Sequence, residues 1–260
     1  MRAISLAKFE KDIVNEDAAI AKENVIAVSD GAGGGGVFAE RWSQCLVNHL
    51  PDKPIVNYKA FDKWIDGIWE PFYNECETNA KAIGGMFLNK FYDEGSFATL
   101  AAVWRNGQWI SYGDSVAFCY NRKRKELQHS FSRLADFNRP PYLINCKDPL
   151  DKNGFRSGLF AVDNDSTIIV ASDTLAHYIL MMYEVSYKDR FGEELLEAID
   201  AQTKNSNFIK TAMSVDVLDF EKDVIQKLQN CNRVFLLANH IKGLKKKGLI
   251  GHDDYSIAFL

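Results

Sequence analysis

The chain of 260 residues is 47% hydrophobic, 25% charged and 12% aromatic, proportions that exclude disorder, collagen-like repeats and a coiled coil. Its 31 basic and 35 acidic side chains give a formal net charge of −4, which argues against a protein whose main work is coating nucleic acid. A chain of this length buries about 70–75% of its unfolded surface, enough for a large core without disulfide staples.

Five widely spaced cysteines (Cys45, Cys76, Cys119, Cys146, Cys231) include no CxxC pair, so they suggest no structural zinc and read as reduced thiols. Met1–Glu10 has no signal-peptide pattern, and apolar stretches such as Ile179–Tyr183 and Val234–Ala238 fall far short of the roughly 18–20 residues of a span. The expectation is a cytoplasmic protein that engages no membrane. Few prolines and no Ser/Gly-rich linker predict one domain over residues 1–260.

In chain order, Ala3–Ala7 predicts a strand, followed by a turn through Glu10–Glu16 and a strand pair at Ala18–Ala21 and Val25–Ser29. Gly31–Gly36 then opens a helix near Val37–Asn48. Phe61, Ile65, Ile68, Trp69 and Phe72 recur at helical spacing and predict a longer helix over Tyr58–Ala82. From Ser96 the period changes to that of strands: Phe97–Arg105, Gln108–Tyr112 and Val116–Asn121, the first two joined by the turn Asn106-Gly107. The prolines within Asn138–Ser157 predict an irregular loop, and Leu159–Val162 and Thr167–Ala171 read as strands. From Asp173 to about Lys247 the pattern is mainly helical, and Tyr255–Leu260 closes as a strand. Strands in groups and helices in groups indicate an α+β fold with antiparallel sheets.

Buried strands repeatedly run into an aspartate: Val25–Ser29 into Asp30, Trp109–Tyr112 into Gly113-Asp114, and Ile168–Ala171 into Ser172-Asp173. At the C-terminus the order inverts, with Asp253-Asp254 before the last strand. A carboxylate at the tip of a buried strand is costly unless neutralised. Several of them without matching Arg or Lys point to a hard divalent cation, Mg²⁺ or Mn²⁺, which takes oxygen ligands and keeps several waters. Taken singly, each reads equally as a turn former or a helix N-cap, Asp173 above all. Taken together, with Glu16-Asp17 added, the structural explanation weakens.

Asn15-Glu16-Asp17-Ala18, Ser29-Asp30-Gly31-Ala32-Gly33-Gly34, Gly95-Ser96, Gly113-Asp114-Ser115, Ala171-Ser172-Asp173 and Asp253-Asp254-Tyr255-Ser256 occur in this order. The set resembles the successive motifs of the metal-dependent serine/threonine phosphatases of the protein phosphatase 2C family, bacterial type, and spans Glu16 to Ser256. The resemblance implies a four-layer αββα sandwich of two antiparallel sheets flanked by helices, with a metal centre in a cleft at one end. It implies two ions, with Asp30 bridging them and the Gly31 carbonyl on the second. Asp173 and Asp253 would complete the shell of the first ion, Glu16 and Asp17 would hold waters on the ions, and Asp114 would join a weaker third site. Two such ions lower the pKa of a bridging water and clamp phosphoryl oxygens for in-line attack, so no Ser, Cys or His nucleophile is needed.

Three departures bear on substrate grip and turnover. The family's phosphate-gripping Arg, four residues before the Glu of the acidic pair, is Asp12 here, with Lys11 the nearest replacement in sequence. Asp173 is followed by Thr174 where the family has Gly, and His177 stands where an acid often serves the third metal. His177 would then be a further ligand, against the ordinary reading of a hydrogen-bonded core histidine.

Gly31–Gly36 lacks the Gly-Lys-Ser/Thr ending of a P-loop and reads instead as close backbone approach plus a helix start. Arg122-Lys123-Arg124-Lys125 reads as a solvated hairpin turn, or as a docking patch for an acidic phosphoprotein. Lys245-Lys246-Lys247 suit the dipole of a helix end, and His252 flanks Asp253 where it would orient it. Two functions stay open: an active phosphatase on phosphoserine or phosphothreonine in proteins, with a kinase as counterpart, and a regulatory binding module that keeps the fold and metals but hydrolyses poorly.

Overall fold

A computed structural model describes residues 1–34, 36–201, 205–215 and 218–260; Gly35, within the Gly31–Gly36 stretch, lies outside the described residues. The strands are β1 (Arg2–Leu6), β2 (Ala18–Ala21), β3 (Val25–Ser29), β4 (Phe97–Ala98), β5 (Leu100–Trp104) and β6 (Gln108–Tyr112), then β7 (Val116–Asn121), β8 (Glu126–His129), β9 (Ile144–Asn145), β10 (Phe155–Leu159), β11 (Ser166–Ala171) and β12 (Tyr255–Phe259). The helices are α1 (Ala39–Asn48), α2 (Tyr58–Asp66), α3 (Trp69–Ile83), α4 (Gly85–Glu94) and α5 (Asp173–Ser186), then α6 (Lys188–Asp200), α7 (Ser206–Met213), α8 (Gln226–Asn230) and α9 (Val234–Lys246).

Two five-stranded antiparallel sheets form, in the orders β1-β12-β11-β7-β8 and β10-β6-β5-β3-β2, with β4 and β9 pairing separately. The strand period of two assigns each face. In the first sheet Val116, Phe118, Tyr120, Ile169 and Ile257 pack under α5–α9, while Ala117, Cys119, Ile168, Val170 and Ala258 point the other way. There they meet Ile26, Val28, Ala101 and Val103 of the second sheet, whose opposite face (Val25, Ala27, Ala102, Trp104) packs beneath α1–α4. Three apolar layers thus separate four layers of structure, an α+β sandwich with helices outside both sheets. The five cysteines are free. Among the described residues no helix is long and apolar enough to cross a membrane.

Several elements differ from the expectations of sequence. The expected helix Tyr58–Ala82 is two, broken at Gly67-Ile68, where the chain turns so that Phe61 and Phe72 both reach the same core. The expected strand Phe97–Arg105 divides at Thr99, whose N–H donates to the Asp30 carbonyl at 2.8 Å, and its first part leaves to pair with β9. β10 ends at Leu159 instead of beginning there, because Phe155–Leu159 completes the sheet edge against β6. It therefore occupies the end of the expected loop Asn138–Ser157. Helix α4 and strand β8 are not expected from sequence; each buries a single side chain, Phe91 and Leu127.

Candidate active site

Strand register gathers the acidic motifs at one end of the sandwich. Ala18 pairs with Ser29, so Asp17 and Asp30 leave the second sheet side by side. In the first sheet Ala171 pairs with both Val116 and Ile257, which brings Asp173, Asp114 and Asp253 to the same edge. Leu6 pairs with Tyr255, so the segment after β1 ends there too. Residues up to 237 positions apart in sequence (Glu16 to Asp253) become neighbours through pairings that local sequence does not encode.

The electrostatics record the convergence. Burial raises the Asp30 carboxyl well above the usual range, and Asp17, Asp173, Asp114 and Asp253 push it further in the same direction. Asp17, 4% exposed, is raised chiefly by burial and then by Asp173 and Asp254, while the Ser172 and Ser256 hydroxyls pull it back. Asp114 is pushed up to about 8 by burial and then Asp173; Asp173 rises to about 6 by burial and then Asp253. Burial also raises Glu16 and Asp253. Among the described residues none of these carboxylates has a Lys, Arg or His at ion-pair distance. Among the described residues the buried Oδ2 of Asp17 has no hydrogen-bond partner.

A second carboxylate shapes the rim. Asp254, 3% exposed, accepts from the Lys8 N–H through Oδ1 and from the Glu16 N–H through Oδ2, both at 2.7 Å. It therefore ties together the two ends of the 8–16 loop. Glycines allow the rest of the approach: a Cβ on Gly31 would stand 2.5 Å from the Glu16 carbonyl oxygen, and one on Gly33 would strike the Glu16 carboxylate itself. The reading of Gly31–Gly36 as close backbone approach applies at these two positions.

Lys8 lies near enough to this edge that its charge lowers both Glu16 and Asp253, and His252 lowers Asp253 as well. Lys11, later on the same loop, is exposed. Nothing in the sequence singles out Lys8, because its placement depends on Asp254, 246 residues away. Asp12 has a left-handed backbone, φ 57°, a conformation that a short polar Asp tolerates far better than an Arg. His177 lies 5% exposed between Phe137 and Phe208, with ring centroids at 5.4 and 6.5 Å. Burial alone lowers it to about 4, and no carboxylate of the cluster acts on it. His252 joins Glu10 at 2.7 Å instead of Asp253.

Among the described residues no three His, Cys, Asp or Glu side chains form a ready-made metal shell. The donor set nevertheless fits Mg²⁺ or Mn²⁺. It consists of hard oxygens alone, the carboxylates lack counter-charges, and one oxygen is buried and orphaned; such ions accept few protein ligands and keep their waters.

No family model and no curated protein matches the chain in sequence. Solved structures match it in fold. The catalytic domain of the serine threonine protein phosphatase PstP, in complex with two manganese ions, aligns at 14% identity over 99% of this chain and 95% of that one, TM-score 0.52. The Mycobacterium tuberculosis phosphatase PstP/Ppp aligns at 14% identity over 99% and 96%, TM-score 0.51. A bacterial serine phosphatase variant aligns at 12% identity over 99% and 95%, TM-score 0.51. The likeness covers nearly the whole chain. The fold of the chain is therefore that of the serine/threonine phosphatases in these structures.

Proposed function

We propose that the chain hydrolyses phosphoserine and phosphothreonine in proteins with Mg²⁺ or Mn²⁺ bound at the acidic edge, and that residues 1–260 act as one domain. Asp30, the Gly31 carbonyl, Asp173 and Asp253 would hold two ions, and Asp114 would serve a weaker third site. His177, enclosed by aromatic rings, stands aside as a lesser candidate. When bound, the ions supply Lewis-acid activation of water and neutralise phosphoryl oxygens.

The chain's own groups do the remaining work. Glu16 and Asp17 accept hydrogen bonds from water at the edge and fix its orientation, the buried Oδ2 of Asp17 having no other partner among the described residues. Asp254 holds the 8–16 loop so that Glu16 and Lys8 face the same edge. The Lys8 ammonium attracts the phosphate dianion, with Lys11 available farther out. A Lys offers a point charge where a bidentate Arg would give a planar fork, so substrate grip is weaker than that fork would provide.

The observation that carries this reading is the uncompensated convergence of five separate strand-end carboxylates, which costs stability unless cations occupy the edge. Asp12 at the Arg position favours the second reading, a phosphoprotein-binding module of low turnover. A kinase counterpart, a signalling role and a cytoplasmic setting belong to either reading. The test is hydrolysis of p-nitrophenyl phosphate and a phosphothreonine peptide with Mn²⁺ and with chelator, using wild type, Asp30→Asn and Asp253→Asn. Metal-dependent turnover lost in both variants supports the phosphatase. Tight peptide binding without turnover selects the binding module, and retained turnover in either variant refutes the ligand assignment.

A further inference from the structure

Although the chain carries a net charge of −4, the end of α9 is strongly basic. Lys242, Lys245 and Lys246 stand three and four residues apart, on one side of the helix, and Lys247 follows them. Among the described residues none of the four is paired with a carboxylate, whereas both arginines of the basic hairpin turn after β7 are engaged: Arg122 pairs with Asp165, and Arg124 with Asp163 and Glu126. Helix-end stabilisation accounts for cations in the last turn. It does not account for Lys242, which lies a turn earlier.

Two of these ammoniums share one aromatic ring. Lys242 Nζ and Lys245 Nζ lie 5.2 and 5.4 Å from the centroid of Phe9, which rests against Tyr255 at 6.1 Å. His252 ties the same turn to the loop: its Nδ1 accepts from Lys245 Nζ at 2.5 Å and its Nε2–H donates to Glu10 at 2.7 Å. Phe9 follows Lys8 and His252 precedes Asp253, so the basic surface adjoins the acidic edge directly. We propose that Phe9 and the end of α9 form a docking surface for an acidic peptide segment, the residues flanking the phosphorylated side chain of a protein substrate.

This rests on the phosphatase reading and extends it to substrate class. The partner follows from charge. Cations left unpaired in an acidic protein form a local field opposite in sign to the rest of the surface, which selects and steers a short acidic segment. The Phe9 ring is already covered by two ammonium groups, which disfavours its entry into a lipid phase.

The experiment compares kcat/KM with Mn²⁺ for two phosphothreonine peptides, one with acidic and one with neutral flanks, at low and high salt. Wild type should prefer the acidic peptide by about three- to tenfold at low salt, with the preference collapsing at high salt. The triple variant Lys242→Ala/Lys245→Ala/Lys246→Ala should lose it, while Lys81→Ala, whose ammonium pairs with Glu77, should retain it. Fluorescence anisotropy of a labelled acidic peptide without phosphate provides a readout independent of turnover, and its affinity should fall by the same factor in the triple variant. Absence of turnover on either peptide and on p-nitrophenyl phosphate would sink the phosphatase reading alone, leaving anisotropy to decide the surface. Equal preference in wild type and triple variant, equal anisotropy, or loss confined to binding of phosphatidylserine vesicles would each overturn the proposal.

Discussion

Replacing Asp173 by Asn removes one negative charge from the acidic edge while keeping the side-chain volume and an oxygen that can accept from the Thr174 N–H. The Asp173 carboxyl rises from 3.8 to about 6, by burial first and Asp253 second. A group whose folded pKa lies above its unfolded value contributes stability that is complete below the unfolded value and lost as pH rises through the folded one. For Asp173 that window runs from pH 3.8 to about 6, so at neutral pH the metal-free protein bears the whole loss. The displacement corresponds to about 3 kcal/mol. Solvent access and sharing with neighbouring carboxylates reduce the expected gain from Asp173→Asn to about 1–2 kcal/mol. In chelator at neutral pH, the variant should therefore unfold at higher urea than wild type. Mn²⁺ at about a hundred times its dissociation constant should then add about 2.7 kcal/mol to wild type and much less to the variant, reversing their order. Urea titrations with and without Mn²⁺ check both halves. A variant less stable than wild type in chelator, or one stabilised equally by Mn²⁺, would refute the picture of an uncompensated cation-binding edge.

Three further outcomes are expected. Glu184 of α5 is buried, its Oε2 has no hydrogen-bond partner among the described residues, and its carboxyl is pushed from 4.5 to about 8 by burial and then by Glu194. Wild type should lose up to about 5 kcal/mol between those pH values, and Glu184→Gln should flatten the loss in urea titrations at both ends; an unchanged slope would clear Glu184 of the role. Asp254→Ala strands the N–H groups of Lys8 and Glu16 and should cost about 2–4 kcal/mol in the same assay, whereas a cost near zero would mean the 8–16 loop is held elsewhere. Lys8→Ala should raise the KM for a phosphopeptide by about five- to tenfold and Lys11→Ala by less than about twofold; the opposite order would return the phosphate to Lys11.

The α+β class, the boundaries of β2, β3, β6 and β7, and the ordered acidic motifs were legible in sequence, because each depends on residues close together in the chain. Strand alternation is set by the residues within the strand, and Asp30, Asp114 and Asp173 each follow their own apolar run. The split at Gly67, the departure of β4 to meet β9, and the edge strand β10 were not legible, since each is decided by a partner far along the chain. Asp12 was visible as a departure, but its left-handed backbone was not. The same division runs through the site. Sequence supplied the carboxylates one at a time, with a turn or cap explanation available for each. Only the register of Ala18 with Ser29, and of Ala171 with Val116 and Ile257, made them mutual neighbours. Lys8 had no local signature and Lys245 was legible only as part of a helix end, for a charge acquires its partners, here Lys242 and Lys245 over Phe9, through tertiary distance, and Coulomb energy depends on separation in space and not along the chain.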